Sequence, residues 1–146
     1  LTVIALIVIV LISLSVTSIR NTYFSKNQNI SNRYNQEIME WVRGEKDLGW
    51  SQFLNNINTC STFPHLTCFS NPISWGNCGE CNPTEVVGGI FKREGTFECS
   101  SVVGSVETPL SCSDPNVNNI ETTIEVYWDD AQGRHNSKAS TIFTDY

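Results

Sequence analysis

The stretch LTVIALIVIVLISLSV (residues 1–16) decides how the chain is read. Thirteen of its sixteen residues are apolar, the exceptions being Thr2, Ser13 and Ser15, and the first charged side chain is Arg20. With Thr17, Ser18 and Ile19 the run reaches the lower edge of the roughly 20 residues a membrane-spanning helix needs. A secretory signal is the first alternative. It would need a charged leading region, which is missing, and a small-x-small cleavage site, to which SVTS (15–18) is the nearest approach. Without an initiator Met, the expectation is that processing has occurred ahead of Leu1 and that the apolar segment was kept.

Working outward, the pattern turns one-sided. Ile19, Tyr23, Ile30, Tyr34, Ile38 and Trp41 recur at spacings of three, four and seven, with Asn27 in the vacant place, while Arg20, Lys26, Gln28, Arg33 and Glu37 fill the gaps. This is one stripe of an α-helix. The first forty-odd residues therefore read as one helix ending near Gly44. Its first half is apolar all round and its second half apolar on one side. Serines mixed with β-branched residues in SLSVTSIRNT (13–22) lower helix propensity and mark a break there. DLGWSQFLNN (47–56) reads as a short second helix or turn.

From Thr59 to about Val87, prolines, glycines and four cysteines predict loop. GGIFKREGTFECSSVV (88–103) and IETTIEVYWDD (120–130) predict strands, the second alternating Ile120, Thr122, Ile124, Val126 and Trp128 onto one face. DDAQGRH is a hairpin turn. RHNSKASTIFTDY returns as a further strand, and VETPL adds a short one. The fold class is α+β: a long N-terminal helix packed on a small antiparallel sheet, with a disulfide-stapled loop region. The boundaries are 1–24 for the apolar half and 25–146 for the head, the latter comprising helix 25–44, loop 45–87 and sheet 88–146. Ile30, Tyr34, Ile38, Trp41 and Trp128 are the expected helix–sheet packing residues, and Trp50 joins them.

The net charge is -6, with nine Lys and Arg and no basic run, so no nucleic-acid partner is expected. All six cysteines, Cys60, Cys68, Cys78, Cys81, Cys99 and Cys112, lie in one segment. An even count behind a membrane segment reads as a disulfide framework outside the cytoplasm. Fifteen pairings are open. The most local bridge is Cys99–Cys112, clamping the turn after the first strand, and a nested arrangement of the other four would staple the loop. Each would stabilise by roughly 2–4 kcal/mol.

Three blocks together resemble the type IV pilin family. LTVIALIVIVLI is similar to the family's mature start. NQEIMEWVRGEKDLGW resembles the helix end of its minor-pilin branch, and IEVYWDDAQGRHNSKASTIFTDY resembles that branch's last hairpin. The resemblance covers 1–54 and 120–146 well and 59–119 poorly. It implies a filament subunit for adhesion and twitching motility, extracellular once assembled and held in the inner membrane before. Its partners would be identical or related pilin subunits and a host or surface ligand.

The implied filament-core residues are Leu1, Val3, Ile4, Ala5, Leu6, Ile7, Val8, Ile9, Val10, Leu11, Ile12, Leu14 and Val16, with Leu1 as the processed, methylated N-terminus. The family has a glutamate where Ala5 stands, implied to neutralise a neighbour's N-terminal amine; its loss resembles a tip-initiating subunit or an atypical filament. The family also often has helix-breaking Gly and Pro where Leu14 and Thr22 stand. A minor or tip pilin, a pseudopilin and a non-polymerising membrane-anchored domain are the alternatives.

Other chemistry reads as structural. CGEC (78–81) has redox spacing but lies among Pro, Asn and Gly rather than at a helix start, and zinc with Cys60 and Cys68 would have the wrong spacing. Asp114, Asn116, Asn118 and Glu125 fall at calcium-loop positions 1, 3, 5 and 12, but Asn119 replaces the required glycine. An Asp/Asn-rich turn is the plainer reading. His65 and His135 read as loop histidines without catalytic partners, so neither an enzymatic activity nor a cofactor is expected. The sequon NIS (29–31) falls on the helix. Trp75, in the loop, is a candidate exposed contact residue.

Overall fold

The computed structural model describes residues 2–60 and 64–145, with Thr2 and Ala5 described by their backbone alone. The elements in chain order are α1 (Thr2–Leu48), α2 (Trp50–Asn58), β1 (His65–Cys68), β2 (Lys92–Val103), β3 (Val106–Pro109), β4 (Asn119–Asp130) and β5 (Gly133–Thr144). The class is α+β, as read from the sequence. The chain divides into two compact units, Leu1–Ile30 and Ser31–Tyr146.

In the first unit the helix runs without a break through 13–22, contrary to expectation. Three hydroxyls of this stretch bend back onto the helix. Ser15 Oγ donates to the Leu11 carbonyl (2.9 Å), Thr17 Oγ1 to that of Ser13 (2.9 Å) and Thr22 Oγ1 to that of Ser18 (3.0 Å). Such i−4 bonds satisfy the hydroxyls within the helix itself. Three of the residues that depress propensity thus have their hydroxyls met inside the helix.

In the second unit α1 ends at Leu48 rather than Gly44, and Gly49 separates it from α2, whose Phe53 N–H donates to the Gly49 carbonyl (3.0 Å). The fully buried helix stripe is Ser31, Asn35, Ile38 and Val42. This lies one residue round from the expected Ile30–Tyr34–Ile38–Trp41 stripe. Ser31 and Asn35 take places that hydrophobicity assigned to apolar residues. At Asn35 the sheet answers: Asn35 Nδ2 donates to Ser137 Oγ (2.8 Å), and Ser137 Oγ donates in turn to Asn32 Oδ1. Tyr34 and Trp41 flank the stripe half-buried and meet the sheet side edge-on, Tyr34 against Phe91 (5.5 Å between centroids) and Trp41 against Phe69 (5.8 Å). Ile30 belongs to the first unit.

The sheet is antiparallel throughout, in the order β1-β2-β4-β5, with β3 pairing the far end of β2. Three long strands of twelve residues make its body. The expected alternation on β4 holds: Ile120, Thr122, Ile124, Val126 and Trp128 are all buried. Strict alternation of apolar and polar fixes register, because a one-residue slip would turn this whole set to water. The segment expected to be loop contains one short strand, β1, held against Glu94–Phe97 of β2.

Gly95 marks the tightest point. The Phe69 ring lies over its backbone, and a methyl built there would sit 2.6 Å from Phe69 Cε2 and 3.2 Å from Ile124 Cδ1. Gly95→Ala is therefore expected to destabilise the head by about 1–3 kcal/mol through overpacking. The measurement is the denaturant midpoint at unchanged slope; an unmoved midpoint would contradict the packing of Phe69 on Gly95.

Candidate functional site

Two surfaces are candidates for function. The first is the apolar helix of the first unit. Val3, Ile4, Leu6, Ile7, Val8, Ile9, Val10, Leu11, Ile12, Leu14, Val16 and Ile19 are all exposed, Ile9 at 61%. Positions 6 to 12 bear exposed apolar side chains on seven consecutive residues and therefore on every side of the helix. Leu1 lies outside the described residues, as does the side chain of Ala5, so the implied N-terminal modification and the environment of Ala5 fall outside what is described. At about 1.5 Å per residue, Thr2–Ile19 spans roughly 27 Å, close to the ~30 Å hydrocarbon core of a bilayer. The helix is long and apolar enough to cross a membrane.

The second surface is the stapled face of the head. The bridges are Cys60–Cys78, Cys68–Cys81 and Cys99–Cys112. The expected local bridge is present, whereas the other four cysteines cross rather than nest. Crossing follows from β1: Cys60 precedes this strand and Cys68 ends it, and Cys78 and Cys81 return beside it, with Thr67 bridged to Cys78 and Cys68 N–H donating to the Asn77 carbonyl (2.9 Å). Cys78 and Cys81 thus have separate partners, so CGEC is not a redox pair in this state. Cys68, Cys81 and Glu85 place donor atoms within 4.8 Å of one another, but the bridge consumes both thiolates that a metal would need.

Glu94 ties this loop to the sheet. Its Oε1 accepts from the Cys81 N–H (2.7 Å) and from the Tyr127 hydroxyl (2.6 Å). Burial, then the hydrogen bond and charge of Glu94, push the Tyr127 phenol well above its ordinary range. The Arg134 guanidinium lies 4.4 Å from the centroid of that ring.

The calcium-loop residues are not brought together. Asp114 Oδ1 accepts from the backbone and side-chain N–H groups of Asn116 (2.8 and 2.9 Å), closing an Asx turn. Asn118 is bonded both ways to the Val102 backbone (2.8 and 3.0 Å), and Glu125 lies within β4, paired with Lys138 (2.9 Å). The two histidines sit on strands rather than loops. His65 is buried on β1, with Nδ1 against the Cys60 carbonyl. His135 on β5 stacks on Trp128 (5.3 Å) and pairs with Asp130 (3.0 Å). Ser31 of the sequon is buried.

Trp75 is not an exposed contact residue. It is half-buried among the rings of Trp41 (5.4 Å), Phe97 (5.5 Å), Phe53 (5.9 Å) and Phe69 (6.0 Å), and its indole N–H donates to Glu45 Oε2 (2.8 Å). Trp128 is fully buried as expected, edge-on to Phe91 (5.6 Å). Sequence reasoning missed Arg93, which sits in an alternating charged run yet is 1% exposed. Its guanidinium donates to the Ser70 carbonyl and lies 5.7 Å from the Tyr34 ring centroid. Burial lowers its pKa, and Glu37 opposes that shift.

A long helix, apolar at its start and packed on an antiparallel sheet through its second half, is a pilin-like architecture. No protein-family model, curated protein or solved structure matches the chain. Reduction of the three bridges is expected to cost about 2–4 kcal/mol each. Amide hydrogen exchange should then rise across Cys60–Cys112 more than across Ser31–Leu48; equal protection with and without reductant would show that the bridges are not what holds this face.

Proposed function

We propose that this chain is a structural subunit of a type IV pilus-like filament, polymerising through its apolar N-terminal helix into an extracellular fibre for adhesion or motility. The observation that carries the reading is the exposure of twelve apolar side chains between Val3 and Ile19, all round the helix from Leu6 to Ile12. A contiguous apolar surface of this kind does not remain in water. Two environments can take it: a bilayer, or a bundle of like helices. Moving from the first to the second changes hydrophobic free energy little, because lipid and protein are both apolar, so packing decides the geometry. The internal bonds of Ser15, Thr17 and Thr22 satisfy those three hydroxyls in either setting. The disulfide-stapled region 59–112 would form the outer surface and carry the adhesive contacts.

A non-polymerising membrane anchor is the second reading, favoured by the match between helix length and bilayer thickness. A minor or tip subunit is favoured by Ala5 in place of the family's acid.

Ile9→Asp separates the first two readings. A single Asp in an otherwise apolar span costs about 2.5–3.5 kcal/mol during membrane insertion, which the remaining residues offset. An unpaired carboxylate in a dry helix bundle costs more. The variant should still fractionate with membranes and fold its head, as read by circular dichroism, while filaments disappear. Normal filaments from Ile9→Asp would overturn the core assignment. Wild-type cells whose filaments never contain the chain would favour the anchor.

A further inference from the structure

On the sheet face turned from the core, three rows of residues lie in register: Glu94, Glu125 and Lys138; Thr96, Thr123 and Ser140; and Glu98, Glu121 and Ile142. The first row is satisfied, Glu94 by Tyr127 and Cys81, Glu125 by Lys138 and Asn136. The middle row is neutral and closed by a Thr123–Ser140 hydroxyl bond (2.8 Å). The third row differs. Glu98 and Glu121 are exposed and directly opposite one another, and neither has an ion pair or hydrogen bond to another described residue. Beside them Ile142 is 61% exposed. Like charges directly opposite on adjacent strands repel and destabilise the pair. A partner that is cationic and partly apolar would remove the repulsion and cover the isoleucine.

The chain itself contains such a segment. Leu1–Ile30 holds Arg20 and Lys26 and no Asp or Glu, while the other seven Lys and Arg and all fifteen Asp and Glu fall in Ser31–Tyr146, a net of -8 for that unit. Ile19, Tyr23 and Lys26 stand at i, i+4 and i+7, one stripe of the helix, with Arg20 on its margin. Ile19 and Tyr23 are exposed, at 56% and 63%. Two cations therefore bracket two bare apolar side chains, which complements two carboxylates beside a bare isoleucine.

Resting on the filament reading, we infer that the Glu98–Glu121–Ile142 row of one subunit docks the Ile19–Lys26 segment of a second copy. The opposed charges steer the approach and fix which face meets the helix; the apolar residues supply the contact. A membrane surface rich in anionic lipid would be repelled by this row, so it does not compete for it.

The test uses the full-length chain in cells that assemble filaments. A photo-crosslinking amino acid replaces Ile142, and the adducts are mapped by mass spectrometry. In parallel, the charge reversals Glu98→Lys with Glu121→Lys, Arg20→Glu with Lys26→Glu, and all four together are scored for filament yield at low salt. The inference expects adducts on residues 19–26 of another copy, about a tenfold loss of assembly rate for each pair of reversals, and recovery to within a few-fold in the four-residue variant. Wild-type filaments whose Ile142 adducts fall elsewhere or on lipid, with no recovery on combining the reversals, would overturn the docking and leave the filament reading standing. A wild-type chain that never self-associates would overturn both.

Discussion

The structure depends on a single constraint: an apolar helix surface that closes all the way round cannot face water. Val3, Ile4, Leu6 to Ile12, Leu14, Val16 and Ile19 all keep their apolar side chains exposed. The fold therefore resolves only half of its hydrophobic problem internally. Whatever accepts the other half, lipid or neighbouring helices, determines where the molecule goes and what it joins.

The head has the complementary task of staying folded while one end of its helix belongs to that other environment. It does so by locking α1 from Ser31 to Val42 with both shape and polarity. Ile38 and Val42 fill the core, and Asn35 and Asn32 bond Ser137 on β5. Buried amides and hydroxyls are costly unless paired, so this seam accepts one register of helix on strand and penalises slips. The crossed bridges and Glu94 extend the same control over the loop that lies on β2. The Trp75 cluster joins that loop to α1 and α2 through Trp41 and Phe53.

Much of this was legible in the sequence because it rests on periodicity. The all-round run at 1–16, the alternation from Ile120 to Trp128 and the Asp-Asp-Ala-Gln-Gly-Arg turn each carry a repeat that only one local structure satisfies. The errors share a cause: pattern records apolarity and not pairing. Asn35 looks like a solvent position until Ser137 is placed opposite it. Ser15, Thr17 and Thr22 look like helix breakers until their hydroxyls are seen to bond back four residues. Arg93 alternates with Lys92 and Glu94 as a surface residue would, and nothing in a linear reading tells that the Ser70 carbonyl and the Tyr34 ring receive it. The crossing of Cys60–Cys78 over Cys68–Cys81 follows from β1, a strand too short to announce itself among prolines and glycines.

The most direct measurement is the intact mass of the protein in filaments sheared from the source cells, set beside the membrane fraction of the same cells. The account predicts that this chain dominates the filament preparation, with its three disulfides intact. A chain abundant in the membrane and absent from the filaments would contradict it, and would leave the apolar helix as an anchor alone.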